Sequence, residues 1–415
     1  MTNQTNNASP YAALQYPEFR NYIISRFFFI ITLTMQGTLV SWKLYDITKD
    51  IFYIGLIGLV EFVPAFFMAF YAGHVIDKSD KRNMLLKSFI ANIICTALLC
   101  FITSGWALQK FSEGIVLMVM YFLIFCTGIM RAFSGPTSFA LVTHLVPKEL
   151  IANATTWHSG VWQVSAVTGP ALAGLLYASI GITNTFLLMI VFMSITIAGI
   201  IYVGRKPPLL QLREEKMIES IKQGMRFVWR SKEVLGALSL DLFAVLFGGA
   251  TALLPYFADK VLYVGAEGLG MLRSAPALGS VVILMFLTFR PLKKNQGKFM
   301  LLCVAGFGIS IVVFGLSKLF WLSLVALFFS GVLDGVSVIV RSTVLQLKTP
   351  DEMRGRVAAL NSIFIMSSNE LGAFESGVTA KIMGAVTAVV FGGCMTIGVV
   401  IYTWFKAPTL RKMGY

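Results

Sequence analysis

Long apolar runs separated by short polar, charged loops recur along the whole chain. The segments 182–203 and 385–405 are 22 and 21 residues long and contain no charged residue, and a helix needs about 20 residues to cross the hydrocarbon of a bilayer. The pattern predicts twelve spans, at 23–42, 52–75, 84–104, 115–146, 151–179 and 182–203, then 235–263, 268–289, 299–316, 319–347, 353–383 and 385–405. An even number puts both termini on one side, and the distribution of Lys and Arg assigns that side. Of the 34 basic residues, 24 fall on the side of the termini, five lie within spans, and only Lys43, Lys49, Lys110, Lys260 and Lys318 fall opposite. Both termini are therefore expected in the cytosol. The polar start, MTNQTNNASP, has no Lys or Arg and does not resemble the first region of a signal peptide.

The pattern also repeats. At an offset of 203, Gly128 meets Gly331, Ser134 meets Ser337, Pro147 meets Pro350, Ser165 meets Ser368, Gly169 meets Gly372, Gly174 meets Gly377 and Gly181 meets Gly384. Earlier spans align more weakly near an offset of 215, where Gly55 meets Gly270. A repeat of six helices keeps the same orientation in both copies. The expected fold is an all-α membrane protein of 12 transmembrane helices, arranged as two parallel six-helix repeats. These occupy 1–204 and 234–415, with a central cavity and alternating access by rocking. Residues 205–233 form the connection. Ile218, Ile221, Met225 and Val228 recur there at helical spacing among charges, which predicts an amphipathic helix on the membrane surface, either a lipid-binding element or a plain linker.

Composition agrees with lipid as the solvent: 57% of residues are hydrophobic and 13% charged, with a mean hydropathy of +0.77, against roughly 25% charged in soluble domains. The net charge of +14 does not imply nucleic acid, because the bases are scattered between spans and form no stripe. Five cysteines, Cys95, Cys100, Cys126, Cys303 and Cys394, all lie in apolar runs without CxxC spacing, so neither a disulfide framework nor a zinc site is expected. No HExxH, GxSxG or GxxxxGK[ST] element is present, so neither an enzyme nor a nucleotide-driven pump is expected, and no cofactor.

Charges inside spans carry the candidate chemistry, because each costs about 2.5–3.5 kcal/mol to insert and needs water, a partner or a function. Arg26, Glu61, Arg131, Asp241, Asp334 and Arg341 are expected to line a wet cavity, alongside Arg273; Glu370, Glu375 and Lys381 are placed nearer a membrane face or gate. Arg131 and Asp334 are equivalent in the repeat and would suit an ion pair across the cavity, in competition with a local pair of Asp334 and Arg341 seven residues on. Burial and a neighbouring guanidinium pull a carboxylate's protonation in opposite directions, which makes such a group a usable proton switch. Asp241, Asp334 and Glu61 are the candidates, in that order. His158 reads as a packed polar residue, and His74 and His144 as boundary residues.

Several motifs carry a family resemblance. The stretch GHVIDKSDKR at 73–82 resembles the loop motif of the major facilitator superfamily, with Gly73 for close helix approach, Asp77 as a latch and Arg82 in the basic cluster; Asp80 stands where the family has a second glycine. The matching loop RPLKKNQGK lacks an acid. Arg131 resembles the superfamily's span-4 arginine, linked to proton coupling, and SAVTGPALAG, with Gly169, Pro170 and Gly174, resembles the exporter motif of span 5. Together with WKLYDITKD, IGLIGLVEFVPAF and RGRVAALNSIFIMSSNELGAFESG, nearly the whole chain is similar to the branch holding enterobactin and other siderophore exporters, which also includes macrolide and drug-efflux proteins. The resemblance implies proton-coupled export of a small amphipathic molecule across the inner membrane by a monomer. A siderophore leads, and multidrug or macrolide efflux and a lipid flippase are the alternatives. Arg26, Arg131 and Arg341, with aromatics such as Phe27, Phe28, Phe29 and Trp162, would suit an anionic catecholate.

Overall fold

A computed structural model describes residues 9–206, 217–290, 295–350 and 353–414. The helices are α1 (Pro17–Thr48), α2 (Ile51–Lys78), α3 (Lys81–Ile102), the short α4 (Gly105–Lys110), α5 (Glu113–Val142), α6 (Ile151–Ile201) and α7 (Met217–Arg230). They continue with α8 (Lys232–Phe247), α9 (Leu254–Tyr256), α10 (Gly265–Phe289), α11 (Gln296–Leu316), α12 (Phe320–Lys348), α13 (Arg354–Met383), α14 (Ala385–Lys406) and α15 (Pro408–Arg411). No strand occurs among the described residues.

Ten helical stretches are long and apolar enough to cross a membrane. One of them, Lys148–Ile201, is 54 residues long and breaks at Gly181, where φ is 80° and ψ 171°, so it supplies two spans. The remaining span is α13, 30 residues long, whose Arg356, Glu370, Glu375 and Lys381 lower its hydropathy. The chain is thus an all-α membrane protein of twelve spans. Exposed Phe67, Met118, Phe122 and Leu187 stand where lipid is the solvent.

The repeat is written into the backbone. Gly384, 203 residues after Gly181, also turns between two spans with positive φ, 87° and ψ 151°. That region is essentially glycine-only and costs other residues about 1–3 kcal/mol. Gly181→Ala and Gly384→Ala should each lower stability by about that amount. Thermal unfolding in detergent measures it, and unchanged midpoints would show that the turns relax freely.

The helices gather into two units. The first comprises segments of Met1–Gly37, Phe67–Gly169 and Ile180–Gln211, and the second Thr38–Phe66, Pro170–Ser179 and Leu212–Tyr415. Packing therefore does not follow the repeat boundary. The last third of α1, the first half of α2 and the middle of α6 belong to the unit that holds all the later helices.

Phe19, Tyr22, Leu85, Leu141, Met193 and Ile200 centre the first unit's core. In the second, one cluster gathers Val228, Leu238, Met300, Val344 and Leu360, and another gathers Leu254, Phe257, Leu272, Phe314 and Leu327.

Candidate functional site

The first unit buries a guanidinium. Arg26, on α1, is 8% exposed; its Nη1 donates to Ser138 Oγ on α5 at 2.8 Å and its Nε to the main-chain oxygen of His158 on α6 at 3.3 Å. Tyr22, one turn earlier on α1, donates to the main-chain oxygen of Ser138 at 2.8 Å and contacts its hydroxyl at 2.6 Å. The Tyr22 and His158 rings stack with centroids 6.2 Å apart, and Phe139 meets His158 edge-on at 6.1 Å. His158 Nε2 and Thr137 Oγ1 are buried without a hydrogen-bond partner among the described residues. No ion pair among the described residues holds Arg26. His158, read from the sequence as a packed polar residue, is indeed packed, but its main chain also positions the arginine.

Arg131 is exposed on α5. It follows Phe122 by nine residues, two and a half turns at 3.6 residues per turn, and so faces away from the exposed apolar stripe of Met118, Phe122 and Phe125. Gly135, one turn on, continues its own face and is also exposed. Trp162, one turn beyond His158 on α6, is 48% exposed. The acids of the first unit, Glu18, Asp77, Asp80, Glu113 and Glu149, all stand at helix ends, so its membrane layer carries positive charge alone.

All five carboxylates deep in spans, Glu61, Asp241, Asp334, Glu370 and Glu375, belong to the second unit. Asp241 on α8 and Arg341 on α12 form a buried ion pair, 6% and 3% exposed as residues. Asp334, two turns before Arg341 on α12, is half-buried. The acid that holds Arg341 comes from a neighbouring helix and not from its own. Arg131 belongs to the first unit and Asp334 to the second.

A second charged cluster centres on Arg273 of α10. Its Nη1 donates to Ser41 Oγ on α1 at 2.8 Å, and the carboxylates of Glu61 on α2 and Glu370 on α13 act on it electrostatically. Nearby in sequence, Lys381 of α13 pairs with Asp50 at 3.3 Å and sits 4.7 Å from the centre of the Phe52 ring, while Tyr45 donates to Asp259 at 3.3 Å. Glu375 is half-buried on α13. Sequence reasoning placed Arg273 within a span but gave it no partner. Ser41 offered no signal, since a lone serine in a span is ordinary.

Glycines set how closely these helices approach. An added Cβ at Gly55 would lie 2.6 Å from Gly377 Cα, and one at Gly174 would lie 3.0 Å from Gly270 Cα. Gly55 and Gly270 are repeat partners, as are Gly174 and Gly377, so the α2–α13 and α6–α10 crossings are two copies of one contact. A Cβ at Gly58 would strike the main-chain oxygen of Glu370. Gly169 lets α6 meet Thr34 of α1, whose Oγ1 donates to Ser165 O at 3.2 Å. From Gly169 to Pro170, α6 passes out of the first unit into the second.

The loop after α2 differs from its sequence reading. Gly73 lies in the last turns of α2, and an added Cβ there would meet nothing within 4 Å among the described residues, so close helix approach is not seen at that glycine. Asp80 is the N-cap of α3, accepting from Asn83 N at 2.8 Å with φ −64°. This conformation needs no glycine, and it explains the departure from the family motif. Arg82 donates to the main-chain oxygens of Ile200 at 3.3 Å and Ile201 at 3.0 Å, at the carbonyl end of α6. The side chains of Asp77, His74, Ile218 and Ile221, and the loop residues 291–294, lie outside the described residues.

The sequence pattern of the family described as transmembrane secretion effector matches residues 8–413. The enterobactin exporter EntS of Shigella boydii serotype 18 is 26% identical over 388 residues, covering 93% of this chain and 91% of its own, and that of Escherichia coli O1:K1 / APEC is equally similar. Among solved structures, a D-xylose–proton symporter superposes with a TM-score of 0.73 at 12% identity, covering 97% of this chain and 100% of its own. A POT family transporter in complex with a thioalcohol-conjugated peptide superposes at 0.71 with 13% identity, over 95% and 96%. At these identities the two structures speak to the fold.

Proposed function

The chain belongs to the transmembrane secretion effector family of the major facilitator superfamily, and from that premise we propose that it exports an anionic, aromatic small molecule, a siderophore of the catecholate class, in exchange for protons. It is a transporter and not an enzyme. The observation that carries the substrate class is the segregation of charge. The first unit's membrane layer holds Arg26 and Arg131 and no carboxylate, with the packed rings of Phe139 and His158 beside Arg26. A buried cation such as Arg26, held by no carboxylate among the described residues, is costly, and an anionic ligand with aromatic faces supplies both the countercharge and a surface for stacking. Macrolide and many multidrug substrates are cationic amines and would call for the opposite sign. The name of the 26%-identical relatives supports the same class.

The second unit supplies the proton chemistry in this proposal. Asp241 is the coupling carboxylate; its protonation frees Arg341. Asp334 and Glu61 are secondary acceptors. Glu370 and Glu375 with Arg273 act in the gate, and the Gly73–Arg82 loop, including Asp77, is the latch at the opposite end. The repeat halves 1–204 and 234–415 are the moving parts, joined by 205–233. The protein works as a monomer in the bacterial inner membrane, with both termini in the cytosol.

Arg26→Gln tests the substrate assignment. A hydrogen bond to a charged group contributes about 1.5–3 kcal/mol, so half-saturation for a catecholate should rise roughly 10- to 150-fold. Export of a neutral analogue should change little, and Arg26→Lys should recover part of the loss. Proteoliposome flux measures all three. In cells, a deletion strain should accumulate siderophore; drug hypersensitivity without accumulation would overturn the assignment in favour of multidrug efflux.

A further inference from the structure

We infer that the exposed face of α7 is a docking surface for anionic lipid headgroups on the leaflet facing the chain termini. Within this helix, Lys222, Arg226, Trp229 and Arg230 are all exposed, Trp229 by 66%. They occupy positions i, i+4, i+7 and i+8, and so share an arc of about 100° at 3.6 residues per turn. No carboxylate among the described residues pairs with the three cations. Residues 217–230 contain one acid, Glu219, against three bases.

The opposite face is fixed. Gly224 and Val228 are buried, Val228 to 1%. An added Cβ at Gly224 would lie 3.1 Å from Leu360 Cδ1 and 3.2 Å from Arg356 Cβ, both on α13. Arg356 Nη1 donates to Gln223 Oε1 at 2.5 Å. Val228 joins the core of Val234, Ala237, Val344, Val357 and Leu360. The cationic face is therefore held outward by a packed back, and does not roll to bury its tryptophan.

Position supplies the occupant. A single residue, Ser231, separates Arg230 from Lys232, where a membrane-crossing stretch begins, so the last turn of α7 sits at the boundary of the hydrocarbon. A tryptophan beside several cations at that depth matches an anionic headgroup layer, the indole at the interface and the guanidiniums on phosphate. A soluble acidic protein would meet the charge but leave Trp229 without an apolar neighbour. Because α7 packs on α13, which also carries Glu370, Glu375 and Lys381, headgroups bound here act on the helix that bears those three charges. This inference needs only the membrane setting and does not depend on the substrate.

The test uses the full chain in phosphatidylcholine vesicles containing phosphatidylglycerol, with either lipid brominated in turn. The Trp229 signal is the difference between the parent and Trp229→Phe. Brominated phosphatidylglycerol should quench it several-fold more than brominated phosphatidylcholine. Each cation replaced by Gln (Lys222, Arg226, Arg230) should lower the preference, toward a limit of roughly fivefold per charge. Added salt should lower it too. Equal quenching by the two lipids in the parent overturns the inference. Quenching of Trp229 by aqueous iodide but by neither lipid also overturns it, and points to a soluble partner. Unchanged thermal unfolding of the triple variant separates lost lipid contact from lost folding.

Discussion

Replacing Asp241 with asparagine is expected to abolish export driven by a pH gradient and to destabilise the folded protein by about 3–5 kcal/mol. Both effects come from one contact. Asp241 and Arg341 neutralise each other where each is less than a tenth exposed. Removing the carboxylate leaves a guanidinium that water cannot reach, and the penalty for an unpaired buried charge exceeds what the pair itself contributes. The two effects separate in a second variant. Asp241→Asn combined with Arg341→Gln removes both charges and should recover most of the lost stability, yet it should remain inactive in gradient-driven flux, because the titrating group is still missing. Thermal unfolding in detergent and flux in proteoliposomes with an imposed pH gradient measure the two quantities. Unchanged flux in Asp241→Asn would remove Asp241 from coupling, and a double variant that regains flux would show the pair to be structural only.

Much of this arrangement was legible in the sequence because membrane physics leaves a strong trace. Twelve apolar runs, their polarity of charge and the 203-residue repeat all follow from hydropathy and spacing, and Gly181 and Gly384 carry the repeat down to the same backbone conformation. Asp241 and Arg341 stood out because charged residues at that depth are rare, although their pairing did not: helix-face arithmetic linked Arg341 to Asp334 on its own helix and has no access to neighbours 100 residues away. Tyr22 and Ser138 gave no signal, since single hydroxyls are common in spans. The two packing units were also hidden. Gly169 and Pro170 read as a motif, but nothing in their identity says that α6 changes unit there, because that depends on which distant helices pack against each part of it. The Asp80 cap was not legible either, since the sequence shows only an aspartate where the family has a second glycine, and the N-cap contact to Asn83 appears only in the fold.

Gly55→Leu is expected to prevent closure of the helix ends in the second unit and to reduce export by a similar or larger factor. At Gly55 even a methyl group would stand 2.6 Å from Gly377 Cα, which is backbone and cannot swing away. Overpacking of this kind costs about 1–3 kcal/mol, and that shifts an equilibrium between closed and open ends by roughly 5- to 150-fold. The charges around the crossing add to the effect. Glu370 presents its main-chain oxygen to Gly58 and its carboxylate to Arg273, so spreading α2 from α13 loosens the Arg273 cluster and the Lys381–Asp50 pair together. Repeat symmetry provides an independent copy of the experiment, because Gly174→Leu wedges the equivalent crossing against Gly270 and should act in the same direction. The state is read by an impermeant maleimide on a Ser376→Cys variant lacking the five native cysteines. Ser376 is 6% exposed, and the introduced thiol should be protected in the parent and labelled in either leucine variant, while unfolding in detergent shows the helices still packed. If the thiol stays protected and export continues at the parental rate, the glycine crossings are ordinary packing and the gate lies elsewhere. If both leucine variants label while the Asp241 variant does not, closure and proton binding are separate steps, set by glycine contact at the helix ends and by a carboxylate buried on α8.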